Sequence, residues 1–137
     1  MIIFATSKEC VMKDSLDYGT ELRRLYKALS NQPGFPINFC QKVSLLAATH
    51  IDGLYAAGGK FRLDTPLDVN GLPTIDVTHW WIEDSAENIF ELTGTQFNHR
   101  LKIPFSEGIV CVTKDHPHFS RYLRVESLNS KFRPLTD

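Results

Sequence analysis

The sequence predicts an α+β domain in which N-terminal helices pack on an antiparallel β-sheet. Three observations carry this. Apolar residues recur at three- and four-residue steps in the first part of the chain. A Pro- and Gly-rich loop, NQPGFPINFC, interrupts them. Period-two alternation then takes over in TIDVTHWWIE and is followed by a turn and a second short apolar run. Helices first and strands after them is the α+β pattern.

The elements follow in order. Ile2 to Ala5 reads as a short strand or an N-terminal arm. Asp14 to Ser30 reads as a helix, with Leu16, Leu22, Leu25, Tyr26 and Leu29 at helical steps and Asp14 or Ser15 as cap. Pro33, Gly34 and Pro36 then enforce a loop. Asn38 is the expected N-cap of a second helix, on which Cys40, Val43, Ala47, Ile51 and Leu54 share a face and which Gly58 and Gly59 end. Lys60 to Leu63 is expected as a strand, and DTPLDVNGLP as a turn-rich connection. Thr74 to Glu83 and Ile89 to Leu92 form a β-hairpin around Asp84 to Asn88. Ile109 to Val112 is a further strand, and His118 to Leu128 a short final helix before a loose tail.

A length of 137 residues suits one domain over the whole chain. With 15 basic and 16 acidic side chains, no general attraction to nucleic acid or anionic membrane is expected. MIIFATSKEC lacks the basic start and long apolar region of a signal peptide, and no stretch is apolar enough to span a bilayer. These features place the protein in the cytoplasm, with export by a signal-less route the alternative. Cys10, Cys40 and Cys111 show no paired short spacing. They suggest neither a disulfide framework nor a zinc site, so reduced thiols and no metal or cofactor are expected.

The chemistry sits in a cysteine, a histidine and an acid. Thiol-based acyl transfer needs an ionised cysteine, a histidine that accepts and returns its proton, and a third group that orients the imidazole. Cys40 follows the loop and opens the second helix, where free N–H groups and the helix dipole favour a thiolate. The hairpin supplies the rest. A turn centred on Ala86 pairs residues whose numbers sum to about 172, so Asp84 faces Asn88 and His79 faces about position 93. Glu91 is then a diagonal neighbour of His79 on the same sheet face, within reach of its ring.

Read together, FCQKVSLLAATHIDGLYAAG, THWWIED and NIFELTGTQF resemble the small bacterial members of the transglutaminase-like branch of the papain-like fold. In that branch the histidine strand reads H-x-W-x-E and the next strand I-x-D-L-T-x-x-Q-F. The resemblance spans roughly Asn38 to Phe97. It implies a papain/transglutaminase-like core with Cys40 as nucleophile, His79 as base and Glu91 as orienting acid. There are two departures from the pattern. Glu91 stands where Asp is more frequent, and Gln41-Lys42 replace the usual small residues, with Lys42 a possible support for the thiolate.

The expected activity is the opening of an amide in a protein or peptide through a thioester, as in a peptidase, glutamine deamidase, transglutaminase or amidase. The alternative is a papain-like binding module that has lost its chemistry. For the oxyanion, the backbone N–H of Cys40 and the side-chain amides of Gln32 and Asn38 are candidates. Of Trp80 and Trp81, one is expected to pack inward and the other to wall the substrate cleft. His50 lies too far along the helix from Cys40 to serve it, and His116-Pro117-His118 reads as a solvated loop. Glu83 shares the His79 face as a rival acid.

Overall fold

The computed structural model describes residues 18–64 and 75–125. Two α-helices come first, α1 (Tyr18–Ser30) and α2 (Cys40–His50). Five strands follow: β1 (Leu54–Leu63), β2 (Ile75–Asp84), β3 (Ile89–Glu91), β4 (Val110–Val112) and β5 (Tyr122–Arg124). They form one antiparallel sheet in the order β4-β3-β2-β1-β5. The N-terminal strand or arm, the Asp14/Ser15 cap, most of the turn-rich connection and the tail after Val125 lie outside the described residues.

A core packs on each face of the sheet, while Arg62, Asp76 and Thr78 leave its far end exposed. On one face, Leu54, Ile82, Phe90 and Cys111 pack against Leu22 and Leu29 of α1 and Val43 and Ala47 of α2. On the other, Ala57, Phe61, Leu63, Trp81, Ile89, Val110 and Val112 pack against Phe97, Leu101 and Phe105. That second core includes a 3₁₀ segment, Gly94–Arg100, which covers the sheet where helices do not. Each large buried side chain contributes about 1.5–3 kcal/mol relative to exposure.

Three expectations need correction, two about elements and one about a thiol. The second helix does not run on to the Gly58-Gly59 pair. It stops at His50, and Leu54 to Gly59 belong to β1. Gly53, at φ 90°, turns the chain where an L side chain is disfavoured, and LYAAGG then pairs along β2 from Asp84 to His79. Gly59 is a place of close approach, since a Cβ there would run into the Leu123 carbonyl of β5. Among the described residues of His118 to Leu128, the expected helix is a single 3₁₀ turn, Phe119–Arg121, followed by β5. Pairing with β1 supplies Tyr122–Arg124 with partners a lone helical turn would lack. Finally, Cys111 is buried in β4 as a core residue, but it is disulfide-bonded and not a reduced thiol.

The hairpin has the register read from the sequence. Ile82 pairs with Phe90 and Glu83 with Ile89, each pair summing to 172. The Asp84 side chain organises the turn by accepting from the Ala86 and Asn88 backbone N–H groups, both at 2.9 Å. Among the described residues, no helix is long and apolar enough to cross a membrane.

Candidate active site

Cys40 is the first residue of α2. Asn38 is not the N-cap. Phe39 occupies that position, no side chain caps the helix, and Asn38 is exposed at φ 66°, in the left-handed region that Asn tolerates better than most residues. The first N–H groups of the helix therefore remain uncapped beside the thiol. Cys40 itself is partly exposed and free. Ser44 donates to the Cys40 carbonyl at 2.8 Å and anchors the first turn from behind.

His79 and Glu91 meet in the buried layer of β2 and β3. His79 Nε2 lies 2.8 Å from Glu91 Oε1, and both side chains are essentially inaccessible, at 0% and 2%. A carboxylate has no proton to give, so Nε2–H donates. Glu91 is held by more than the imidazole. Tyr122 donates its hydroxyl to the same Oε1 at 2.7 Å, while Thr93 donates its backbone N–H and its hydroxyl to Oε2, both at 3.1 Å. Four donors thus converge on one buried carboxylate, as burial of a charge requires.

The electrostatics follow from this arrangement. Burial pulls the His79 imidazole down, but the Glu91 charge and the Cys40 thiol outweigh it, and the imidazole is pushed up to about 9. Burial would raise the Glu91 carboxyl. The His79 charge and the donors from His79, Tyr122 and Thr93 hold it below its usual range instead. At neutral pH the pair is imidazolium and carboxylate. His79 Nδ1 is buried and, among the described residues, makes no hydrogen bond of full geometry. With Nε2 committed to Glu91, Nδ1 is the nitrogen left for Cys40, whose thiol interacts with the ring. Such contacts are often loose without substrate. Phe61 and Phe97 fix the ring, with centroids 5.7 and 4.9 Å from it.

The other sequence candidates are placed differently. Gln32 is exposed and accepts from Lys42 Nζ at 3.5 Å. Among the described residues, no hydrogen bond joins Gln32 or Asn38 to Cys40 or His79. Lys42 is turned to Gln32 and to the Phe39 ring, 5.6 Å away, and so does not serve the thiol. Both indoles are buried, because both sheet faces are covered. The Trp80 ring lies over Gly58. Trp81 donates to Glu83 at 2.7 Å and lines a cleft of about 230 Å³ with Tyr122, Phe119 and Arg124, a lining that does not include Cys40. Glu83 is taken up by Trp81 and Arg124 and makes no bond to His79.

His118 is buried and not solvated. Its Nε2–H donates to the Ile103 carbonyl at 2.7 Å, and its Nδ1 accepts from Arg121 Nε at 2.9 Å. Both ring nitrogens are spent, and no cluster of three metal-ligating side chains occurs among the described residues. Sequence reasoning missed Thr93 and Tyr122. Thr93 had a local signal, an acid two positions before a threonine. Tyr122 comes from 31 positions away and had none.

Comparison with protein families, with curated proteins and with solved structures gives no match for this chain.

Proposed function

We propose that the chain is a cysteine-dependent acyl-transfer enzyme with Cys40 as nucleophile, His79 as general acid and base, and Glu91 as orienting carboxylate. One observation carries the reading: a fully buried His79–Glu91 pair, charged at neutral pH, beside a free thiol at an uncapped helix start. Buried titratable pairs with strongly shifted protonation cluster at functional sites, and this one adjoins a free thiol. The antiparallel sheet with the cysteine helix packed on β1 and β2 is compatible with the papain/transglutaminase-like core that the motifs resemble.

In this reading the Cys40 thiolate attacks an amide carbonyl of a protein or peptide substrate. The helix-terminal N–H groups, beginning with that of Cys40, receive the developing oxyanion. His79 Nδ1–H protonates the departing amine, which leaves a thioester on Cys40. Water or an acceptor amine then opens the thioester, giving its proton to Nδ1, and the thiolate is restored. Glu91 keeps the imidazole in one orientation throughout. Water as acceptor makes the enzyme a peptidase, amidase or deamidase, and an amine makes it a transglutaminase. Of the two placements, export fits the disulfide at Cys111 better than the reducing cytoplasm does.

The test is incubation with a glutamine-containing protein mixture, followed by mass spectrometry for deamidation, cleavage and isopeptide bonds, against Cys40→Ala. A product present with the wild type and absent with Cys40→Ala supports the reading. No product with either, together with an unreactive Cys40, supports the binding module instead.

A further inference from the structure

We propose that Tyr122 is a positioning residue of this site, whose hydroxyl fixes the negative charge on Glu91 and so keeps the shared proton on His79; this rests on the acyl-transfer reading for its purpose, not for its geometry. Tyr122 donates to the very oxygen, Oε1, that receives His79 Nε2–H, at 2.7 and 2.8 Å. The two donors divide one oxygen, and Thr93 occupies the other.

The arrangement matters while His79 is imidazolium. A buried carboxylate tends to take the Nε2 proton, which would neutralise the pair and leave a ring protonated at Nδ1 alone, with no charge to hold the Cys40 thiolate and no free Nδ1 to accept a proton. A second donor on Oε1 lowers that affinity. The phenol is suited to the task, because burial and the Glu91 charge push its own proton loss far above the neutral range. It therefore remains a donor at neutral pH.

The fold holds Tyr122 in place from several sides. Its ring meets Phe61 and Trp81 edge-on, at 5.0 Å from each. Arg121, the residue before it, donates to His118 Nδ1, to the Arg62 carbonyl and to Asp64, at 2.9, 2.9 and 2.6 Å. Gly59 lets the β5 backbone approach β1 closely. The charged and titratable groups facing Glu91 are His79 from β2, Tyr122 from β5 and, at electrostatic range, His118 before β5. His118 is neutral, with one nitrogen donating and the other accepting. The Arg121 charge acts on Tyr122, and Cys40 acts through His79.

Tyr122→Phe keeps the ring and removes only the hydroxyl. Carboxyl NMR titration of Glu91 in the two proteins reads the effect without any substrate. The expected result is that Glu91 titrates about one to two pH units higher in Tyr122→Phe, the loss of one hydrogen bond to a charged group. Alkylation of Cys40 measured against pH should lose its acid limb earlier, while its alkaline limb does not fall. A merely structural role would lower reactivity evenly at all pH values and leave Glu91 unmoved, and that outcome overturns the proposal. If Glu91 moves but Cys40 alkylates like an ordinary thiol in both proteins, Tyr122 keeps its role and the acyl-transfer reading fails. Should Tyr122→Phe not fold, 3-fluorotyrosine at position 122, a stronger donor, must move the Glu91 titration downward, and no movement overturns the proposal equally.

Discussion

Replacing Glu91 by Gln removes the charge that holds His79 protonated against its burial. Glu91 and Gln are nearly equal in size, so packing changes little. The charge is another matter. The His79 imidazole stands at about 9 against an ordinary 6.5, which at 1.36 kcal/mol per pH unit is about 3 kcal/mol in favour of imidazolium. Glu91→Gln removes the charge and leaves the burial, so the imidazole should fall below its ordinary value. A loss of at least this size corresponds to roughly 300-fold in rate wherever a charged pair is needed. Stability should suffer as well. The two oxygens accept four donors, and an amide offers only one oxygen. If that oxygen stays with His79 and Tyr122, the buried Thr93 N–H loses its acceptor, at a cost of about 1–3 kcal/mol. The assay is the rate of Cys40 alkylation by iodoacetamide at neutral pH and below, with chemical denaturation in parallel. Unchanged alkylation together with unchanged stability would refute the account of Glu91.

Other perturbations separate scaffold from site. Glu83→Gln should leave Cys40 alkylation near wild type, because Glu83 bonds Trp81 and Arg124 and not His79; a loss equal to that of Glu91→Gln would show the wrong acid has been chosen. Arg121→Lys should lower stability by about 1–3 kcal/mol in urea, since one ammonium cannot serve His118, Arg62 and Asp64 with the geometry of a guanidinium. Gly59→Ala should destabilise by about 1–3 kcal/mol or more and weaken β5, because its Cβ meets the Leu123 carbonyl. Stability should also depend on pH through His79. Its folded value is raised, so this contribution is complete below 6.5 and is lost as pH rises through about 9. His116 acts in the opposite sense: burial and the neighbouring His118 lower it to about 4, so its contribution is complete above 6.5 and is lost as pH falls through that lower value. Denaturation midpoints from mildly acid to alkaline pH check both signs.

What the sequence revealed divides along physical lines. The hairpin was legible because antiparallel pairing obeys a sum rule and the turn residues sit at its centre; from that alone His79 and Glu91 fall on one face. The start of α2 was legible because Pro33, Gly34 and Pro36 break the chain just before an apolar run. Its end was not, because LYAAGG has helical composition while its structure is decided by β2 alongside it. Asp52-Gly53 was the local signal for the break. The burial of both indoles was hidden for a similar reason: alternation suggested that one indole walls a cleft, whereas both are buried, Trp81 in the core that the Gly94–Arg100 segment helps to form. Tyr122 reaches Glu91 only through the pairing of β5 with β1, a contact between segments some 60 positions apart (Phe61 with Tyr122) that no local pattern encodes. Arg121 likewise finds its partners at Arg62 and Asp64.

The central claim is that His79 makes Cys40 a nucleophile. The most direct measurement is the rate of Cys40 alkylation at mildly acid pH in the wild type and in His79→Asn, with labelling at Cys40 read by mass spectrometry. An ordinary thiol of pKa ~8.5 is almost wholly protonated there. Brisk labelling of Cys40 is expected in the wild type, with a fall on the order of 10-fold or more in His79→Asn, where no imidazolium holds the thiolate. Equal, slow labelling in both proteins would contradict it and leave Cys40 and His79 as neighbours in a binding module.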